Sequence, residues 1–280
     1  SFPTRRSSDL MENKKVILKN GQAKVIDSER IKMLTDFLRR INKEGITKEL
    51  KEEGLDIVKS IDPLELSIAE QNLIDDGMEP SELRHLCDIH MEILKDELEK
   101  LKSNISRGHV LDTLVEEHTK ILALLEDLEA VTNEIVKIDK YNKEKEEFSK
   151  ALEIVQGILD AELHHKREED VLFPELEKRE ITGPTRIMRL EHDQLREKKR
   201  RLKELIKVVE YLDFEDFKDN LQSLSKEICF ELKDHIFKEN YILYPTALEA
   251  IKDEKLWENM REKCDDIGYC PFTPKECIEK

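Results

Sequence analysis

Turn-forming and aromatic residues are scarce in this sequence of 280 residues. It contains 8 glycines and 8 prolines, and aromatic residues make up 5% of the chain. All-β folds need frequent turns and runs of β-branched or aromatic residues, so this fold class is excluded. The abundant residues are Glu, Lys, Leu and Ile, a composition that favours long helices. We therefore predict an all-α fold.

Long apolar segments are also missing. No stretch reaches the roughly 20 apolar residues that a membrane-spanning helix needs, and residues 1–10 lack the apolar core of a secretory signal. Basic charge is deficient as well, because 64 Asp and Glu outnumber 48 Lys and Arg and leave a net charge of −16. Nucleic acid and anionic membrane surfaces would repel such a chain, so we expect neither as a partner.

Cysteine is infrequent and irregularly spaced. The five cysteines are Cys87, Cys229, Cys264, Cys270 and Cys277. An odd number in a chain of this size indicates reduced thiols rather than a disulfide framework, so we expect a cytoplasmic protein.

Breaks in the apolar pattern divide the chain into segments. The string before Met11 resembles translated sequencing-adapter read-through, and we expect residues 1–10 to be a non-native leader. Residues 11–27 form a short lead-in, in which Asn20-Gly21 is suited to turn a small hairpin. A small helical N-terminal domain is predicted over residues 28–103. Its helices are expected to begin at Ser28, Thr47, Asp62-Pro63 and Pro80-Ser81.

A polar break at residues 103–108 precedes four longer helical stretches. We predict them at about 110–136, 143–177, 185–209 and 214–250. Short connections force neighbouring helices to be antiparallel, so residues 106–250 should form an up-down-up-down four-helix bundle. Residues 251–280 are a C-terminal extension with three of the cysteines.

A pattern of eleven residues occurs twice in the predicted bundle. Residues 164–174 and 235–245 both read His, three residues, Glu, and then Leu-aromatic-Pro. The first and third long helices echo each other through Glu117-His118 and Glu191-His192. A helical hairpin that is used twice accounts for this pattern. Each copy supplies one His, and then a His with a Glu.

Helix geometry turns the repeat into a candidate metal site. Residues i and i+4 lie about 5–6 Å apart on one face, so His164 and Glu168 aim an imidazole and a carboxylate in one direction. The candidate ligands are His118, His164, Glu168, His192, His235 and Glu239. Imidazole suits iron, zinc and copper, and a carboxylate can bridge two metals. A single such pair is more often a solvated helix face, but its repetition favours a metal centre. We interpret Leu172-Phe173 and Leu243-Tyr244 as core packing.

These motifs resemble the hemerythrin-like (HHE cation-binding) family of non-haem di-iron four-helix bundles. The likeness covers about His109 to Ala250 and rests on the HHxxEExxLFP and HxxxExxxLYP strings. It implies that the six candidate residues ligate two non-haem irons with an oxo or hydroxo bridge. Oxygen-carrying hemerythrins have a second third-helix His where this chain has Arg196, which implies a more asymmetric or open site. His165 is a further candidate metal ligand beside His164.

The flanking segments carry weaker likenesses. Residues 28–103 resemble the uncharacterised helical domain that often precedes hemerythrin domains in bacteria and archaea, through residues 61–65 and 84–90. Cys87 and His90 lie three positions apart on one predicted helix face and form a candidate second site for a metal or haem. The alternative is that both are buried core residues. Residues 264–277 resemble the ending of the same architecture, with thiols that are either redox-active or inert.

The resemblance implies a protein that binds oxygen, nitric oxide or a related reactive species for sensing, scavenging or iron handling. The alternative is a di-iron enzyme for iron–sulfur cluster repair or for peroxide or NO detoxification. A third hypothesis is an interaction module whose N-terminal domain grips a protein partner. Binding and turnover use the same ligands, so the pattern leaves enzyme activity open. The sequence contains no phosphate-binding glycine loop or HExxH motif, and no catalytic residue is assigned.

Overall fold

The computed structural model describes residues 14–19, 22–45, 47–58, 69, 72–73, 76–77, 102–103 and 105–279. The chain divides into two compact units, Ser1–Lys95 and Asp96–Lys280. The predicted helix starts at Asp62-Pro63 and Pro80-Ser81 lie outside the described residues, as do residues 1–10.

The first unit begins with the hairpin that Asn20-Gly21 predicts. Strands β1 (Lys14–Lys19) and β2 (Gln22–Asp27) pair antiparallel, and helices α1 (Ser28–Glu44) and α2 (Lys48–Val58) follow. The helical spacing of the apolar residues in α1 buries one face, which consists of Ile31, Leu34, Leu38 and Ile41.

The second unit contains the helical bundle. Its helices are α3 (Val110–Val136), α4 (Glu146–Asp160), α5 (Glu162–Arg167), α6 (Phe173–Glu177), α7 (Gly183–Lys207), α8 (Phe214–Lys238), α9 (Tyr244–Ala250) and α10 (Glu254–Ile267). Helix α3 packs against α4 and α8, and α7 packs against the same two helices, which closes the bundle. The all-α prediction is confirmed. None of the described helices combines the length and the apolar character that a membrane crossing requires.

The observed helices differ from the predicted ones in the residues at which they begin and in their continuity. The predicted helix 143–177 begins at Glu146, and the predicted helix 185–209 already begins at Gly183. Pro184 lies in the first turn of α7, where its missing N–H costs nothing, so it opens the helix instead of preceding it. The predicted helices 143–177 and 214–250 are also not continuous, because each contains a π-helical turn.

The π-helical turns span Glu168–Leu172 and Glu239–Leu243, and each begins at the Glu of the repeated pattern. Pro174 and Pro245 explain them, since proline has no N–H for the carbonyl four residues earlier and its ring clashes with that carbonyl. The helix widens instead: the N–H of the residue before each proline bonds to the carbonyl of the Glu five positions back. Both copies of the repeat therefore have the same local backbone.

Two apolar clusters fill the bundle on either side of a polar layer. One cluster includes Ile121, Leu125, Ile158, Leu202, Phe217 and Leu232. The other includes Val110, Leu114, Phe173, Met188, Tyr244 and Trp257. Along α3 the change from one cluster to the other occurs at Glu117 and His118, between Leu114 and Ile121. The repeated His and Glu residues therefore meet in the middle of the bundle.

Candidate metal centre

The predicted ligands come together in the polar layer. Each of α3, α5, α7 and α8 contributes one imidazole, and each π-helical turn begins with one carboxylate. All six side chains are at most 1% exposed. They are His118, His164, His192, His235, Glu168 and Glu239.

The Glu239 carboxylate lies between histidines of the two helical hairpins, the first formed by α3–α6 and the second by α7–α9. Its Oε2 is 3.0 Å from His118 Nε2 in the first hairpin. Its Oε1 is 2.8 Å from His235 Nε2 and 3.5 Å from His192 Nε2 in the second hairpin. The two oxygens thus face opposite halves of the centre, as a carboxylate that bridges two metal ions would.

Glu168 takes the matching position in the first hairpin. Its Oε2 is 3.5 Å from His164 Nε2 and 3.4 Å from His192 Nε2. Its Oε1 accepts a hydrogen bond of 2.8 Å from the Tyr244 hydroxyl. Both carboxylates therefore have imidazoles from both hairpins around them.

Several polar atoms at the centre approach one another closely but form no hydrogen bond of acceptable geometry among the described residues. They are Glu168 Oε2, both carboxylate oxygens of Glu239, His192 Nε2 and His235 Nε2. Buried polar atoms in proteins are nearly always paired, and an unpaired buried carboxylate is especially costly. Metal ions accept lone pairs from carboxylate oxygens and imidazole nitrogens, so they would satisfy these atoms together. The residues present therefore fit a metal centre with nitrogen and oxygen ligands.

The outward nitrogen of each of the four histidines is also occupied. Every Nδ1 is hydrogen-bonded to a side-chain oxygen, an arrangement that fixes the ring and leaves Nε2 free to face the centre. The partners are Glu117 for His164 at 2.8 Å, Glu191 for His235 at 2.7 Å, Glu169 for His192 at 2.7 Å and Asn240 for His118 at 2.8 Å.

Three of these partners are held as carboxylates. Burial raises the pKa of Glu117, but the hydrogen bond from His164 and the charge of Arg167 outweigh it and lower the pKa to about 2. Burial is likewise outweighed at Glu169 and Glu191, whose pKa values fall to about 2 through hydrogen bonds from their histidines and nearby basic side chains. These anions stabilise positive charge on the imidazoles that they support.

The contacts around the centre repeat between the two hairpins. In each hairpin a basic side chain binds the carboxylate that supports a histidine, and an aromatic ring of each hairpin stacks on a histidine of the other hairpin. The matched pairs are Arg167–Glu117 at 2.6 Å with Lys238–Glu191 at 2.8 Å, and the ring pairs His118–Tyr244 at 5.6 Å with His192–Phe173 at 5.9 Å. The internal repeat therefore extends beyond the candidate ligands to their supports.

Tyr244 does more than pack. Its hydroxyl donates to Glu168 and lies 3.5 Å from His118 Nε2. The prediction that Leu172-Phe173 and Leu243-Tyr244 serve core packing is confirmed, since all four are at most 1% exposed in one apolar cluster. The contacts of the Tyr244 hydroxyl come in addition to this packing.

His165 joins the centre as a fifth imidazole. It is 1% exposed, and its ring stacks on His192 with the centroids 4.0 Å apart. One ring nitrogen from each of His165, His192 and His235 lies within 4.8 Å of the other two. Adjacent helical positions diverge by about 100°, so His164 turns towards α3 while His165 turns towards α7.

Arg196 lies beside the centre. Its guanidinium donates to Glu162 at 2.9 Å and to Glu169 at 3.0 Å, and Glu169 in turn supports His192. The chain therefore has Arg196 where a second third-helix histidine would stand. It has instead an additional imidazole, His165, whose ring stacks on His192.

The candidate second site, Cys87 and His90, lies outside the described residues. The three C-terminal cysteines, Cys264, Cys270 and Cys277, are buried free thiols. Burial raises the pKa of Cys264 to about 11 and that of Cys270 to about 12, so both stay protonated at neutral pH. Since the thiolate is the reactive form, this favours the inert alternative.

Sequence reasoning missed the residues that support the ligands. The two Glu-His pairs in the sequence contain Glu117 and Glu191. Each of these carboxylates hydrogen-bonds a histidine on the next long segment rather than the histidine that follows it in sequence. No sequence pattern indicates a role for Thr273 in the C-terminal extension. Its hydroxyl donates to Glu117, which also binds Arg167.

Comparison with known families agrees with this geometry. Residues 109–247 match the hemerythrin HHE cation binding domain, and residues 34–100 match a family of unknown function (DUF438). No curated protein matches the chain. The chain is therefore a hemerythrin HHE domain protein with an N-terminal domain of unknown function. The His/Glu layer lies inside the cation-binding domain, and its clusters of His and Glu side chains could hold metal ions.

The hydrogen bond from Thr273 should contribute measurably to stability. Thr273→Val keeps the shape of the side chain but removes a donor from the buried Glu117 carboxylate, which should cost about 1.5–3 kcal/mol. Thr132→Val is the matched control, because its hydroxyl donates to a neutral partner, Ser225 Oγ at 3.1 Å, and should cost about 0.5–1.5 kcal/mol. Urea denaturation of the metal-free variants measures both values. A smaller loss for Thr273→Val than for Thr132→Val would contradict the assignment.

Proposed function

We propose that the bundle holds two non-haem irons, with His118, His164, Glu168, His192, His235 and Glu239 as ligands. The observation that carries this proposal is the position of Glu239, whose two oxygens face histidines of opposite hairpins. A single metal ion would not need a carboxylate that reaches in both directions. The nitrogen and oxygen donor set, without thiolate, suits iron better than a structural zinc site.

His165 is proposed as an additional ligand on one side only. Its ring lies with His192 and His235, whereas the equivalent position of the second hairpin is the apolar Ile236. On the other side the Tyr244 hydroxyl lies near His118 and Glu168. The two metal positions are therefore proposed to be unequal, in keeping with the asymmetry that Arg196 implies.

The function that this centre supports best is binding of oxygen, nitric oxide or a related small reactive species, for sensing, scavenging or iron handling. Bound irons would supply reversible ligand binding and one-electron chemistry. The protein's own residues would orient the imidazoles, through Glu117, Glu169, Glu191 and Asn240. The apolar clusters on both sides would limit the access of water.

A di-iron enzyme that repairs iron–sulfur clusters or consumes peroxide or NO is the second candidate. Tyr244 favours it, because a buried phenol that donates to Glu168 can hold a proton next to the centre. Burial and the carboxylates of Glu168 and Glu239 raise the pKa of Tyr244, which keeps this hydroxyl protonated.

We also propose a cytoplasmic location, supported by the unbridged thiols of Cys229, Cys264, Cys270 and Cys277. The domain limits are proposed as 28–103 for the N-terminal domain, 106–250 for the bundle and 251–280 for the extension. A protein partner is proposed only for the N-terminal domain.

Purified protein should contain close to two irons per chain. Metal analysis after anaerobic purification and iron loading measures the ratio, and the oxidised protein should show charge-transfer bands in the near ultraviolet. The expected result follows from the two carboxylates that each face both hairpins. Retention of one zinc per chain with rejection of iron would contradict the proposal.

Removal of a bridging carboxylate should be more damaging than removal of one imidazole. Glu168→Ala or Glu239→Ala should lose both irons, whereas His118→Ala or His192→Ala should leave partial occupancy, because each deletes one terminal ligand. His109→Ala is the control: His109 is a histidine of the same domain that caps α3 outside the centre, so iron content should not change. Iron content equal to that of the parent protein in the Glu variants would refute the bridging roles.

A further inference from the structure

Lys199 is a buried cation in the bundle interior. It follows His192 on α7 by seven residues, about two helical turns, so both side chains lie on the same face. Side chains on a helix tilt towards its N-terminus, which directs the Lys199 stem back towards His192. The residue is 1% exposed. Its ammonium nitrogen has no hydrogen-bond partner in the part of the chain that the structure describes.

His165 shows the same deficiency. The other four imidazoles of the centre each have a side-chain oxygen on Nδ1, but His165 Nδ1 lacks a hydrogen-bond partner among the described residues. Glu162 Oε2 lies 4.0 Å from this nitrogen, beyond hydrogen-bond distance. Glu162 itself is bound by Arg196 at 2.8 Å.

Lys199 and His165 face the same region. Burial lowers the pKa of His165, and the nearby charges of His192 and Lys199 lower it further. The charged side chains that act on Lys199 are Glu162 and Arg196 beside the centre and Glu239 within it. His165 stacks on His192 with the ring centroids 4.0 Å apart, and the Lys199 stem is directed back towards His192. Both unpartnered nitrogens therefore belong to side chains on the His192 side of the metal centre.

The internal repeat shows which residues can fill the positions of Lys199 and His165 when only packing matters. In the other half of the bundle, Leu125 follows His118 by the same seven residues, and Ile236 follows His235 as His165 follows His164. Leu125 is fully buried and Ile236 is 1% exposed, in one apolar cluster. The fold therefore accepts leucine and isoleucine at these two positions. A buried ammonium without a partner costs much more than leucine, so packing does not account for Lys199.

We propose that Lys199 Nζ and His165 Nδ1 bind a small inorganic monoanion, of the class of nitrite, beside the metal centre, which leaves the other ring nitrogen of His165 for the metal. Two nitrogen donors without partners would each donate to such an anion, and its negative charge would offset the buried ammonium. This inference rests on the proposed function, because the anion would adjoin the irons. It would give the centre a preference for anionic over neutral ligands on the His165 side.

Titration of the iron-loaded full chain with nitrite by isothermal calorimetry tests the proposal. The parent protein should bind one nitrite per chain, and Lys199→Met should weaken binding at least tenfold. Lys198→Met is the matched control, since Lys198 is the adjacent residue of α7 but pairs with Glu227 and Glu231 away from the centre. Its nitrite affinity should equal that of the parent. Unchanged affinity in Lys199→Met, or no binding by the iron-loaded parent, overturns the proposal.

Thermal unfolding of the metal-free variants gives a second readout. Lys199→Met should raise the midpoint, because it replaces an unpartnered buried charge with an apolar chain of similar length. A fall in the midpoint would show that Lys199 has a structural partner and would overturn the anion site. Iron content is measured on the same samples. A parent that retains no iron overturns both proposals, whereas normal iron with unchanged nitrite binding in Lys199→Met overturns only this one.

Discussion

Glu168 and Glu239 place two carboxylates in the middle of a helical bundle, between two apolar clusters. An anion in such a position is stable only with positive charge or hydrogen-bond donors around it. Imidazoles surround the Glu168 and Glu239 carboxylates, and further carboxylates outside them bind and orient these imidazoles. The same logic reaches the C-terminal extension, where Thr273 donates to the Glu117 carboxylate behind His164.

The two hairpins place matching contacts around their carboxylates. Both use a proline to widen the helix at the glutamate, both hold a supporting carboxylate with a basic side chain, and both stack an aromatic ring on a histidine. Four differences between the halves lie around the centre: His165 corresponds to Ile236, Lys199 to Leu125, Tyr244 to Phe173 and Asn240 to Glu169. A symmetric scaffold therefore surrounds an asymmetric site, and function is expected to depend on the asymmetric positions.

The candidate ligands and the fold class could be predicted because both depend on local spacing. The four-residue step from His to Glu places both side chains on one face, and the repeat supplies the second half of the site. Interactions between helices could not be predicted in this way. Glu117 precedes His118 in sequence but supports His164, since the packing of α3 against the following long segment decides which ring it meets. The sequence likewise predicts only core packing for Tyr244, because the partner of its hydroxyl, Glu168, lies in the other hairpin.

Diffraction from crystals of the iron-loaded protein, recorded on both sides of the iron absorption edge, tests the central claim most directly. The account predicts two anomalous peaks per chain in the polar layer. They should lie one on either side of Glu239, the first near His118 and His164 and the second near His192 and His235. A single peak, or peaks outside this layer, would contradict a di-iron centre in the bundle.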